Sequence, residues 1–233
     1  MQYVLPFPHS PHYAAADFLA AGCNAEALTW LDNGADWPLR RLALWGPAGC
    51  GKTHLLHLWA RRQEAQLVAG PSLRLIPPER ALAIDDADAA PERPLLHTLN
   101  AAAEAGLPVL LAGREAPARW PVRLPDLASR LRAVTAVQIR AADDGLLRAL
   151  LARLLLERQM AVSESVQQFL LLHLPRTPGA IREAAARLDH TCFVAGGRPS
   201  RAIAAAVLAG MTGFEENFTG PSTIGPSAAP LLL

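Results

Sequence analysis

One stretch constrains this chain more than any other: Arg41-Leu42-Ala43-Leu44-Trp45, then Gly46-Pro47-Ala48-Gly49-Cys50-Gly51-Lys52-Thr53, then an amphipathic run from His54 to Gln63. It reads as a short buried strand, a glycine turn and a helix, and the turn fits G-x-x-x-x-G-K-[ST]. Glycines let the backbone aim its N–H groups inward. The helix that follows adds about half a positive charge at its start. Lys52 is the only lysine among 22 basic residues. An ammonium on a thin stem enters a backbone nest, where a flat guanidinium does not. The pattern therefore predicts a phosphate-binding loop, with Thr53 able to reach a magnesium ion.

A chain of 233 residues, 51% hydrophobic and 18% charged, is long enough to bury a large core. Its net charge of +1 argues against general electrostatic grip on nucleic acid. Cys23, Cys50 and Cys192 lack metal-ligand spacing and an even count. Pro6, Pro8 and Pro11 interrupt any early apolar segment, and Leu146 to Leu156, broken by Arg148 and Arg153, is far short of a membrane span. A reduced, cytoplasmic compartment without membrane contact is the expectation.

Short apolar runs alternate with helical patterns. Strands are expected at 41–45, 66–69, 81–84, 108–112 and 134–139, with 66–69 and 81–84 read as central. Helices are expected at 17–31, 54–63 and 94–105. This alternation predicts an α/β parallel sheet covered on both faces. After residue 140 only helices are expected, at 143–160, 163–174, 179–195 and 201–209. The expected domains are an extended arm at 1–16, an α/β domain at 17–140, a smaller all-helical domain at 141–210 and a disordered Gly/Pro/Ser-rich tail at 211–233.

The run Leu82-Ala83-Ile84-Asp85-Asp86 places two carboxylates at the carboxyl end of a buried strand, where open α/β sheets present groups to ligands. Asp85 is expected to orient a magnesium shell with Thr53. Asp86 is expected to polarise water or sense a γ-phosphate. Next come Leu124-Pro125-Asp126-Leu127-Ala128-Ser129-Arg130-Leu131-Arg132 and, later, Gly179-Ala180-Ile181-Arg182-Glu183.

Taken in this order, the motifs over roughly residues 1–210 resemble the AAA+ family of nucleotide switches, and within it the DnaA-like branch of replication initiators and their regulators of the Hda type. The resemblance implies an AAA+ P-loop parallel-sheet domain with a helical lid, binding ADP or ATP with Mg2+. It also implies that Arg130 acts as a finger in trans on a neighbour's ATP, and that Arg182 touches phosphate in its own site. Phe18 to Asn24 stands where such proteins have a segment beside the adenine, which makes Asn24 a candidate contact. Where the family carries a polar sensor, this chain has Ala112-Gly113-Arg114. Gly113 cannot hold an attacking water, so weak or absent intrinsic hydrolysis is expected.

Gln2-Tyr3-Val4-Leu5-Pro6-Phe7 is similar to the short peptides that dock in the groove of the replicative sliding clamp, with Gln2, Leu5, Pro6 and Phe7 as anchors. The sequence shows no basic helix-turn-helix after residue 210, so direct sequence-specific DNA binding is not expected. The implied partners are DnaA and the sliding clamp, with a homo-oligomer left open. A helicase loader of the same family, a small-molecule P-loop kinase and a remnant that binds no nucleotide are the rival readings. Pull-downs, acceptor-dependent ATP consumption and Lys52-dependent nucleotide binding separate them.

Overall fold

The computed structural model describes Tyr13 and residues 18–212. Five strands, β1 (Arg41–Trp45), β2 (Gln66–Ala69), β3 (Leu82–Asp85), β4 (Val109–Gly113) and β5 (Thr135–Gln138), form one parallel sheet in the order β2-β3-β4-β1-β5. With them come α1 (Ala25–Asp32), α2 (Lys52–Arg62), α3 (Glu92–Glu104) and α4 (Pro125–Arg132). Alternation along the strands divides the core. Leu42, Leu44, Leu110 and Ala112 face Ala27 and Leu31 of α1 and Leu55, Leu56 and Trp59 of α2. Ala43, Val109, Leu111 and Ile84 face Leu95 and Leu99 of α3 and Leu127 and Leu131 of α4. β1 and β4 are buried on both faces, which is why they read as continuous apolar runs.

Two expectations are corrected. Gln66–Ala69 forms a strand, but at the sheet edge, and three of its four residues are exposed. It has one neighbouring strand, and four mostly apolar residues do not by themselves distinguish edge from centre. The first helix begins at Ala25, not residue 17. Asn24 arrests it: its Oδ1 accepts from the Ala21 N–H at 2.9 Å and its Nδ2 donates to the Leu19 carbonyl at 2.9 Å, fixing residues 19–24 as a turn.

The described residues divide into two compact units. One holds the sheet, residues up to Leu150 and Arg176–Gly179; the other holds Leu151–Pro175 and residues from Ala180 onward. All four later helices form: α5 (Asp144–Glu157), α6 (Glu164–His173), α7 (Pro178–Ala195) and α8 (Arg201–Thr212). The second unit is helical and buries Val166, Leu170, Ile181, Ala184, Leu188, Ala204 and Val207.

Candidate functional site

Every parallel strand points the same way, so the turns after β1, β3 and β4 share one edge of the sheet. β1 delivers the loop Gly46–Gly51 and α2 starts at Lys52. Three loop glycines carry φ of +152°, +74° and +104°, at Gly46, Gly49 and Gly51. At Gly46 the requirement is also spatial, since a Cβ there would stand 2.1 Å from the Ile139 carbonyl oxygen. Only glycine lets the loop curl this tightly against the segment after β5.

Lys52 is buried, and its Nζ donates to the carbonyls of Gly46 at 2.8 Å and Pro47 at 2.9 Å, with Cys50 Sγ at 3.8 Å. The ammonium is thus drawn across the mouth of its own loop. Thr53 Oγ1 donates to Asp85 Oδ2 at 2.7 Å, which joins the two residues expected to serve a metal. Two hard oxygen donors on adjoining elements suit Mg2+, which takes its remaining oxygens from phosphates and water. Among the described residues there is no group of three or more His, Cys, Asp or Glu able to hold an ion by itself.

Asp86 is exposed, in the left-handed region at φ 47°, and its N–H donates to Asp85 Oδ1 at 3.1 Å. Gly70 makes room for that turn; a Cβ on it would lie 2.2 Å from the Asp86 carbonyl oxygen. Asp88 Oδ2 accepts from the Arg114 N–H at 2.8 Å, tying the end of β4 to the acidic turn. The place of the missing sensor is crowded. A Cβ on Gly113 would meet Trp120 Cζ2 at 2.8 Å and Asp88 Cγ at 3.3 Å. Trp120 is itself buried and held by Nε1 donating to the Glu115 carbonyl at 2.8 Å.

Asn24, expected beside the base, directs both ends of its amide into its own turn. From the same segment, the Phe18 ring lies 3.2 Å from where a Gly51 Cβ would be and packs edge-on to His54. Cys23 is buried, and burial, followed by the charge of Asp143, pushes its thiol above the usual range. Thr177 borders the loop at Gly49, a placement the sequence did not announce. Arg182 is exposed on α7, in the second unit. Gln2, Leu5, Pro6 and Phe7 lie outside the described residues, as does 213–233 of the expected disordered tail; its first two residues, Met211 and Thr212, instead complete the last turn of α8.

Arg130 stands elsewhere. It lies near the end of α4, which leads through Ala133 and Val134 into β5, and β5 begins opposite Leu42 of β1. Arg130 therefore belongs to the amino-terminal edge of the sheet, while the loop leaves the carboxyl-terminal edge. Five residues of β1 set those edges about 13 Å apart. A glutamate missed from sequence fixes this helix: both Glu92 oxygens accept from the Arg123 N–H at 3.0 Å, and Oε2 accepts from the Leu124 N–H at 2.8 Å. Those backbone bonds hold the Glu92 carboxyl below its usual range.

Sheet order, loop and acidic turn define an AAA+ P-loop fold. No protein-family model matches the sequence, and no curated protein matches it. Solved structures do. Domain III of the Thermotoga maritima replication initiation protein DnaA superposes with a TM-score of 0.72 at 18% identity, over 88% of this chain and 98% of that one. AMPPCP-bound DnaA from Aquifex aeolicus gives 0.67 at 16%, over 90% and 74%. A Thermotoga maritima RuvB variant gives 0.64 at 16%, over 85% and 72%. At these identities the shared property is the fold. Among the described residues no helix is long and apolar enough to cross a membrane.

Proposed function

We propose that this chain is a nucleotide-binding AAA+ regulator of replication initiation, of the Hda type. On this reading it holds ADP or ATP with Mg2+ at Gly46–Thr53 and Asp85, docks on the sliding clamp through Gln2, Leu5, Pro6 and Phe7, and speeds hydrolysis of ATP bound to DnaA. The fold it shares with DnaA, including an AMPPCP-bound form, supports the nucleotide.

The placement of Arg130 is the observation that favours action in trans. It stands on the edge of the sheet remote from Lys52, beyond reach of its own loop. In the partner's site, water would attack the γ-phosphorus, the bond to the β,γ-bridging oxygen would break, and ADP would leave. Arg130 would meet the charge spread over the γ-phosphoryl oxygens, an effect of about 10³- to 10⁵-fold in known systems. This chain's own nucleotide acts as a state label, in keeping with a sensor position filled by Trp120 and Asp88.

The test measures ATP hydrolysis by DnaA with clamp, DNA and ADP, with and without this protein. Wild type should accelerate it, and Arg130→Ala should abolish the acceleration. Full stimulation by Arg130→Ala refutes the mechanism.

A further inference from the structure

Arg41 opens β1 and is only 4% exposed, unusual for an arginine at a strand end. Its Nη2 donates to the Leu99 carbonyl of α3 at 2.6 Å. Helices α3 and α4 share one apolar cluster through Leu95, Leu99, Leu127 and Leu131, and that cluster includes Ala43 two residues along β1. Arg41 thus lies on the face of the sheet that α3 and α4 cover, at the same amino-terminal edge as Arg130. Burial first, and then the charge of Arg130, hold Arg41 below its ordinary value.

Arg130 is itself incompletely matched. Its side chain is 35% exposed, yet its Nε is buried without a hydrogen-bond acceptor. Asp126 Oδ1 lies 3.3 Å from that Nε, within ion-pair range but misaligned for a hydrogen bond, and Asp126 is 60% exposed. Among the described residues it is the one carboxylate paired with either arginine. Guanidinium does not lose its proton, so burying it without a counter-ion costs stability that an apolar residue of similar size would not. A buried cation of this kind is explained if the site receives an anion.

We propose that Arg41 is a positioning residue for Arg130: from the same face and edge of the sheet it repels the Arg130 guanidinium outward, and the pair forms a doubly positive seat for the terminal phosphates of a nucleoside triphosphate held by a neighbouring subunit. The proposal rests on the trans reading of Arg130. Arg41 does not touch the phosphates; it raises the local potential and limits where Arg130 can go. Planar, forked Arg130 supplies the hydrogen bonds.

The seat can be measured without the partner. The full chain carrying Lys52→Ala, which removes the grip of its own loop, is titrated with inorganic pyrophosphate. The readout is the Arg130 Nε–H resonance, assigned by its loss in Arg130→Lys. A saturable shift is expected. Affinity should fall about tenfold in Arg41→Gln and in Arg41→Met, both of which keep part of the stem and lose the charge. It should stay near the starting value in Arg41→Lys, which keeps the charge. Urea unfolding of each variant confirms that the fold persists. A merely structural Arg41 would lower stability in the neutral variants and leave pyrophosphate affinity untouched; that result overturns the proposal. So does the absence of a saturable shift, or a loss in Arg41→Lys as large as in Arg41→Gln. A single-stranded oligonucleotide that shifts the resonance as strongly at equal phosphate concentration overturns the nucleotide assignment. If the seat binds as stated but wild type leaves hydrolysis by DnaA unchanged, the proposed function falls and this inference stands.

Discussion

Replacing Thr53 by valine removes one hydroxyl and keeps the shape of the side chain. The lost group donates to Asp85 Oδ2 at 2.7 Å, and a hydrogen bond to a charged acceptor contributes about 1.5–3 kcal/mol. Thr53 and Asp85 are half-buried, so water competes and the low end applies, about 1.5 kcal/mol. For a chain of this length that lowers Tm by roughly 3–6 °C. Thr53→Ser keeps the hydroxyl and should stay close to wild type. The same oxygen is a proposed magnesium ligand, so valine should also remove the Mg2+ dependence of nucleotide affinity, measured by titrating a fluorescent ATP analogue with and without the ion. Urea unfolding reads the first effect. If Thr53→Val matches wild type in both stability and Mg2+ response, the Thr53–Asp85 pair is not the metal end of the site.

Glu92→Gln weakens the staple at the start of α4. Because the folded-state carboxyl lies below its ordinary 4.5, the contribution of Glu92 is full above that value and lost as pH falls through the lowered one. The stability gap between wild type and variant, read by urea unfolding over a pH series, should therefore be constant near neutrality and close in acid. His57, stacked on Tyr13 at 3.9 Å, is held below its ordinary 6.5, chiefly by burial, so it stabilises the fold above 6.5 and loses that contribution as pH drops. His57→Phe should flatten this limb of the stability profile. Leu44→Ala, at a fully buried position of a sheet-interior strand, should cost about 3 kcal/mol in chemical denaturation.

The phosphate loop was legible in sequence because its requirements are local. Glycine spacing, a buried strand before it and a helix after it lie within 23 residues, 41–63. The pairing of Thr53 with Asp85, 32 residues apart, was legible too, since both motifs belong at the carboxyl ends of parallel strands. What stayed hidden depends on partners that no local period encodes. Arg41 meets Leu99 across 58 residues, and Glu92 meets Arg123 and Leu124 across 31 and 32. The edge position of β2 follows from strand order, which four residues cannot carry. Gly113 was readable as a missing side chain; that Trp120 and Asp88 crowd its place was not.

In the proposed function Lys52 grips a nucleotide. Titration of ADP and ATP against wild type and Lys52→Ala tests it most directly. The ammonium makes two charge-assisted hydrogen bonds to loop carbonyls, and phosphate oxygens would take its donors in their place. Its removal should weaken binding about a hundredfold, on the order of 2.7 kcal/mol. Saturable binding by wild type with that loss is the predicted result. Equal affinity in both proteins, or no binding by wild type, would contradict the account.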